Sequence, residues 1–465
     1  MKIENIIYFS SPVFLQHFYT SLYGWKREIN RYGGNFKKYV KHFKETQFYS
    51  KDELYSYQFN RLKKLLEHCY KNVPYYRKCF DKIGFEPSKF SNLDELKKIP
   101  VLSKEEVRIH IGDLTAKNFK RKELFEYHTS GTMGKSLKAF FTKENFREKM
   151  ALIERQRIWA GVKRGDRVAT FTGKIITTDT NPKTFWRYNL FGHQLYFSTY
   201  HMNDKYLKSY VDALNKFKPL IIEGYPSAIF ILAQWVDKYQ YRLDVKPKAI
   251  FTTGETLLDY QKEKIENVFQ TKVFNYYASS DGAPFITQCE YGGLHLNLDS
   301  GIFEILDNKM NDVYKEGELG ELIVTCFSNE GTPLIRYRIN DTVIISKEQC
   351  ACGRNFPLVE KIIGRVDDLL FTKERGYIGR LSPSIKAFPN DVIEVQFVQN
   401  SLEEIDLFIV PDKNRFKEEH LKAVLKEIHQ RVGESVRITP KIVDKIPRGS
   451  NNKYRLTIRN FEIPI

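Results

Sequence analysis

Residues 128 to 136 read HTSGTMGKS, with glycines at 131 and 134, clustered hydroxyl side chains and Lys135 in nine positions. Such a loop adds little to an apolar core. Glycine lets the backbone turn so that several N–H groups face one anion, and hydroxyls and an ammonium complete a cradle suited to phosphate. The Walker pattern G-x-x-x-x-G-K-[ST] fits only at Gly134, Lys135 and Ser136, because Thr129 stands where its first glycine belongs. Taken alone, a short polar loop of this kind is more ordinarily a solvent-exposed turn that binds nothing. The rest of the chain has to decide between the two.

Moving outward, 465 residues can bury a large core and divide into at least two domains. A hydrophobic content of 42%, with 34 Phe and 28 Tyr, is that of a globular, aromatic-rich chain, for which disorder is not the default. The aromatic N-terminus, MKIENIIYFSSPVFLQHFYTSLYGW, is interrupted by Glu4, Ser10, Ser11, Gln16 and His17. It therefore lacks the unbroken apolar run of a signal peptide or spanning helix, and docking of this segment on a membrane or partner stays open. Six cysteines in so long a chain build no disulfide framework, which suits a reducing, cytoplasmic setting. The net charge of +17 is spread over mixed-sign stretches such as KDELYSYQFNRLKKLLEH. An anionic small substrate is a better expectation than nucleic acid.

From about Leu54 to Arg108 the pattern is helical, with VPYY read as a turn and Ser103 and Glu106 as a capping box. NFREKMALIERQRIWAGV reads as a helix stopped at Gly161. Short apolar runs then alternate with amphipathic helices, from RVATFTG through HQLYFS, PLIIEGY and KAIFTTG to KVFNYYA. This describes βα units on a largely parallel sheet. Strands and turns dominate from Gly301 to Ser346, and the tail reads strand, strand, helix, strand, a small α+β domain whose boundary falls at GRVDD (364 to 368).

Ligands of open α/β sheets sit where loops leave the carboxyl ends of strands. Three further polar loops follow apolar runs: TTGET (252 to 256), YYASSDG (276 to 282) and RYRIND (336 to 341). Singly they are ordinary turns. In this order, with HTSGTMGKS before them and GRVDD and PRGSNNKYR (447 to 455) after them, the chain resembles the adenylate-forming superfamily of acyl-CoA synthetases, adenylation domains and luciferases. Within it, the resemblance is to the phenylacetate–CoA ligase branch and its relatives in capsule and surface-polysaccharide biosynthesis, over nearly the whole chain from about residue 55.

That resemblance implies an α/β fold: a large N-terminal domain of helix-flanked mixed β-sheets over residues 1–366, with a helical segment at 1–110, and a small mobile α+β C-terminal lid over residues 367–465. It implies activation of a carboxylic acid with ATP, through an acyl-adenylate and with release of pyrophosphate. Thr129, Ser130, Gly131, Thr132, Gly134 and Lys135 match the phosphate loop T-S-G-T-T-G-x-P-K, with Met133 for Thr and without the proline. Gly254 and Glu255 match the adenine-side loop, Tyr277 the residue that stacks on adenine, and Ser280 and Asp281 the [ST]-E pair, where Asp281 holds Mg²⁺. Asp341 matches the aspartate that grips the ribose, and Arg365 and Asp367 the hinge motif about which the small domain rotates. Lys453 matches the C-terminal lysine of S-G-K-x-R, here preceded by Asn451 and Asn452. Attack of a carboxylate on an α-phosphate brings two anions together. Charges about 4 Å apart in a partly desolvated site interact by roughly 4 kcal/mol, so each cation matters.

Cys289 and His295 lie in CEYGGLH, and Cys350 and Cys352 in CACG. Two thiols one residue apart are poorly placed to join each other in a disulfide. The four side chains are either a closed structural Zn²⁺ set or buried thiols beside an ordinary histidine. The resemblance favours zinc, since the phenylacetate ligase branch has comparable positions. Cys69, Cys79 and Cys326 read as helix or core residues.

The acceptor stays open. LLFTKERGYIGRLSP, after the hinge, departs from the pantetheine-tunnel pattern of CoA users, although Gly376 or Gly379 could serve. CoA, a carrier-protein thiol, or an amine or hydroxyl of a sugar all remain, as does the identity of the acid, whose pocket is expected to include EGYPS (223 to 227) and Tyr276. Lys174 and His201 receive no role. The alternative function is a catalytically decayed nucleotide-binding or scaffold protein on the same fold.

Overall fold

The computed structural model describes residues 3–128, 137–177, 184–279, 282–307, 309–365, 369–374, 376–378, 392–412, 415–449, 452 and 454–461. The chain forms two compact units. The first comprises residues 1–168, 187–195 and 274–362, and the second 169–186, 196–273 and 363–465.

Three helices open the first unit: α1 (Ile3–Ser10), α2 (Val13–Tyr32) and α3 (Phe36–Thr46). The helix Lys51–Asn72 starts at a capping box in which Ser50 and Glu53 satisfy each other's backbone N–H groups. It buries Leu54, Leu62, Leu65, Leu66 and Cys69, a helical spacing that makes one apolar face. VPYY is not a free turn. Pro74 occupies the first position of the next helix, Pro74–Ile83, where its missing N–H is no loss. The Ser103–Glu106 capping box expected from sequence is present. These helices share a core with strands through Leu62, Leu66, Tyr76, Phe80, Leu322 and Tyr337.

The strands of this unit are largely antiparallel. Gly301–Leu306 pairs with Leu319–Cys326, which pairs with Tyr337–Ile345. Leu294–Leu296 lies between Leu358–Arg365 and Ile286–Gln288, antiparallel to both. The run KVFNYYA departs from the parallel expectation: its strand Val273–Tyr277 pairs antiparallel with Ile286–Gln288, Tyr276 opposite Thr287. The few residues between those strands are too short for the crossover a parallel pair needs.

In the second unit, Ile221–Gly224 and Ala249–Thr252 are parallel, separated by the helix Pro226–Tyr239, as the βα reading requires. At the end of the first of these strands, a Cβ on Gly224 would stand 2.0 Å from the carbonyl oxygen of Phe171. Only glycine lets the backbone pass so closely before the helix begins. The C-terminal part pairs Val392–Ser401 with Glu404–Pro411 antiparallel, then Arg437–Ile442 parallel to the latter. A short strand not anticipated from sequence, Thr457–Arg459, runs parallel to Val392–Ser401. The helix Glu418–Val432 covers this sheet through Val424 and Ile428, packed with Leu370, Phe397 and Leu407. Mixed sheets flanked by helices, with a smaller α+β C-terminal region, make the α/β class expected from sequence.

Candidate functional site

The strands on either side of the glycine stretch pair with each other. His128, at the end of Leu124–His128, faces Lys138 across an antiparallel pair with Lys138–Thr142. Thr129, Ser130, Gly131, Thr132, Gly134 and Lys135 themselves lie outside the described residues, as do Ser280, Asp281, Asp367 and Lys453. Arg365 is the last residue of the strand Leu358–Arg365.

In the first unit the structure joins two of the expected residues directly. The Tyr277 hydroxyl, at the end of its strand, donates to Oδ2 of Asp341 at 2.6 Å. Asp341 sits within Tyr337–Ile345, just after Asn340, whose φ of 64° is left-handed. Asparagine tolerates that conformation better than most side chains.

In the second unit, Gly254 takes a φ of 82° in the loop after Ala249–Thr252 and turns the chain so that Glu255 points back. Glu255 Oε2 accepts the N–H of Ser227, at the start of the helix Pro226–Tyr239, at 3.2 Å. Its Oε1 accepts the N–H of Tyr454 at 2.6 Å. Burial raises the pKa of this carboxyl, and the amide bonds pull it the other way. On the far side of position 453, the Asn452 side-chain amide donates to the carbonyl of Thr199 at 2.7 Å and lies 3.2 Å from its hydroxyl. Asn452 has a φ of 57°. Both chain neighbours of Lys453 are thus tied by hydrogen bonds to loops that leave strand ends. Sequence reading missed this pair of ties. The usable signal was Asn452 itself, at a position where the family motif has glycine, because asparagine is a common non-glycine occupant of left-handed backbone.

Glu223 accepts the Thr170 hydroxyl at 3.0 Å, and Tyr276 lies in its strand opposite Thr287. The Lys174 ammonium stands 4.3 Å from the centre of the Tyr196 ring. His201 Nδ1 lies 2.8 Å from the Ser198 hydroxyl. Cys69 and Cys326 are buried and Cys79 partly so.

The four zinc candidates converge. The ligand atoms of Cys289, His295, Cys350 and Cys352 all lie within 4.8 Å of one another. Cys289 Sγ is 3.5 Å from Cys350 Sγ, and Cys352 Sγ is 3.3 Å from His295 Nε2. Sulfur ligands about 2.3 Å from a tetrahedral zinc stand roughly 3.8 Å apart, so the set fits that ion. Sulfurs 3.5 Å apart are not a disulfide. His295 Nδ1 lies 3.0 Å from the Phe356 carbonyl, which can only accept. Nδ1 therefore carries the proton and Nε2 presents its lone pair to the cluster. Burial lowers the His295 pKa, which keeps the ring neutral. A Cβ on Gly293 would meet Cys350 Sγ at 3.0 Å, so glycine there leaves room for the thiol. One supporting contact escaped the sequence reading: Arg354 donates to both carboxylate oxygens of Glu290 at 2.9 and 3.0 Å, tying the loop after Cys352 to the loop after Cys289.

The comparisons with known proteins bear on this geometry. The family model for the CapK C-terminal domain matches residues 370–460. Protein CapK of Staphylococcus aureus is 31% identical over 462 residues, covering 98% of this chain and 100% of that protein. The chain belongs to the CapK family, within the adenylate-forming superfamily. Phenylacetate-coenzyme A ligase of Thermus thermophilus is 25% identical over 442 residues, covering 88% of this chain and 97% of that protein. The solved 2-hydroxyisobutyryl-CoA ligase in its postadenylation state, in complex with R3-HIB-AMP, shares the fold: TM-score 0.72 at 18% identity, over 89% of this chain and 91% of that one. With phenylacetate-coenzyme A ligases among its relatives over most of its length, the chain is an adenylate-forming ligase. Among its described residues no helix is long and apolar enough to cross a membrane.

Proposed function

We propose that this chain activates a carboxylic acid with ATP and transfers the acyl group to a thiol, CoA being the acceptor its relatives favour. A carboxylate oxygen attacks the α-phosphorus, the bond to the β-phosphate oxygen breaks, and pyrophosphate leaves. The thiolate then attacks the acyl carbon and AMP departs. In this reading Ser130, Thr132 and Lys135 hold the departing phosphates, Tyr277 and Asp341 meet the nucleoside, and Asp281 is the Mg²⁺ ligand. Lys453 neutralises the charge that develops between substrate carboxylate and α-phosphate. The four-residue cysteine and histidine set holds a structural Zn²⁺, with no position left for a reacting water. A place in surface-polysaccharide biosynthesis, with a sugar amine or hydroxyl as final acceptor, is the second reading, favoured by the full-length match to CapK.

The observation that carries the proposal is the pair of ties flanking position 453: Asn452 to Thr199, and Tyr454 to Glu255 of the TTGET loop. They support a role for the lysine between them beside a loop of the nucleotide site. The test is ATP–pyrophosphate exchange over aromatic, fatty, amino and hydroxy acids, with and without Lys453→Ala. Exchange with at least one acid, lost in the variant while a supplied adenylate is still transferred, is expected. Absence of exchange with every acid would favour the decayed-enzyme alternative.

A further inference from the structure

The outer face of α2 is apolar and uncovered. Phe14, Phe18, Leu22, Trp25 and Ile29 are exposed, from 48% for Trp25 to 69% for Phe14. At 100° per residue these five side chains fall within an arc of roughly 80° that contains no charge. The opposite face is fixed to the first unit. The Nε of Arg187 donates to Gln16 Oε1 at 2.7 Å, the Tyr188 N–H donates to His17 Nδ1 at 2.9 Å, and Gly24 packs so closely on Asn189 that a Cβ would clash with it. Leu190, whose N–H donates to the Ser21 hydroxyl at 3.1 Å, and Phe191 are also exposed and extend the apolar surface beyond the helix.

Charge says what covers this face. Lys26 borders the arc, and the next helix, α3, turns Phe36 and Phe43 inward while Lys37, Lys38, Lys41 and Lys44 are exposed. Among the described residues none of these five lysines is ion-paired. The one acid of α2, Glu28, is paired with Arg164 at 3.0 Å. A two-fold contact between copies of this chain would oppose two net charges of +17, which costs association free energy. An anionic bilayer attracts the exposed lysines while its acyl boundary takes up the Phe and Trp rings. At about 1.5 Å per residue α2 is roughly 30 Å long, but its charges prevent it from spanning, so it lies in the interface plane.

We infer that α2, with the lysines of α3, docks this protein on an anionic phospholipid surface. The test is co-sedimentation of the full chain with phosphatidylcholine vesicles, with and without phosphatidylglycerol. At low salt, phosphatidylglycerol is expected to raise binding at least roughly tenfold, and added salt to reverse the gain. Phe18→Ser, Leu22→Ser and Trp25→Ser together abolish binding. Lys37→Glu, Lys41→Glu and Lys44→Glu each weaken it roughly fivefold on anionic vesicles only. The melting midpoint checks that the serine variant is folded; if it is not, the lysine variants, altered only at exposed positions, decide the matter. Equal binding to both vesicle types, binding that survives the serine substitutions, or light scattering that finds a dimer dissolved by them would overturn the inference. So would no vesicle binding at all.

Discussion

The carboxylate of Glu255 accepts the backbone N–H of Tyr454 at 2.6 Å, across a sequence separation of 199 residues, while its other oxygen accepts the N–H of Ser227. One acidic side chain thereby positions the residue that follows Lys453. Glu255→Gln can keep one of these bonds, but its NH₂ must then face the other amide. Losing a partly buried hydrogen bond to a charged group costs about 1 to 1.5 kcal/mol, so the rate of ATP–pyrophosphate exchange is expected to fall roughly tenfold. Transfer from a supplied adenylate should hold its rate. Equal loss in both half-reactions would mean that the bond serves folding alone.

Asn452 combines two properties that substitution can separate. Its φ of 57° demands a residue that accepts left-handed backbone, and its side-chain amide binds Thr199. Asn452→Gly keeps the first and loses the second; Asn452→Ala loses both. The exchange rate is expected to fall in the order wild type, glycine, alanine, with about 1 kcal/mol between the two variants. An alanine variant as active as glycine would show that the backbone conformation at this position is unimportant.

The zinc reading predicts about one equivalent of zinc per purified chain by atomic emission, released on chelation with a fall in the melting midpoint. Cys352→Ser and His295→Ala should each lose the metal. Arg354→Ala, which unties the two ligand loops, should retain it with affinity lowered roughly tenfold or more. Full metal content in the cysteine variant would rule the set out as a zinc site.

Sequence and structure inform one another unevenly here. The βα units around Ile221–Gly224 and Ala249–Thr252 were readable because an apolar run followed by a helical period has one common solution. Val273–Tyr277 has the same kind of apolar run, yet pairs antiparallel, since the direction of a buried strand is set by its neighbours and the length of its connection. The zinc candidates were legible because cysteines are few and close pairs of them are chemically unusual. Glu255 drew attention for its motif, but its bonds go to main-chain amides of Ser227 and Tyr454, and a backbone N–H carries no residue signature. Arg155 and Asp299, 144 residues apart, look like two ordinary surface charges until the fold buries them together.

His17 gives a dependence on pH whose sign follows from its surroundings. Its Nδ1 accepts the N–H of Tyr188, and burial, aided by Arg187, lowers its pKa below the model-peptide value of 6.5. A folded-state pKa below the unfolded one means that the unfolded chain binds more protons in that window, so stability rises with pH there. The contribution is complete above about pH 6.5 and is lost as pH falls through the folded value. His17→Asn, whose carbonyl can accept the same N–H, should flatten the melting midpoint between about pH 5 and 6.5 relative to wild type. An unchanged slope would show that other groups govern the acid limb.

Arg155 and Asp299 form a fully buried ion pair, the guanidinium bonded to both carboxylate oxygens and the Thr46 hydroxyl donating to Asp299 at 2.6 Å. The rings of Phe43, Trp159 and Phe356 surround the cation within 5.2 to 5.5 Å of their centres. Two charges taken from water gain little over a well-packed apolar pair, but one left alone has no counter-charge, and the Phe43 carbonyl 3.3 Å from Arg155 Nη1 does not replace it. Asp299→Ala is therefore expected to cost about 3 to 5 kcal/mol of stability, read from denaturant unfolding. Arg155→Met combined with Asp299→Leu should recover most of that loss. If the double variant were no better than the single one, the Thr46 hydroxyl bond and the local packing, rather than the orphaned guanidinium, would account for the cost.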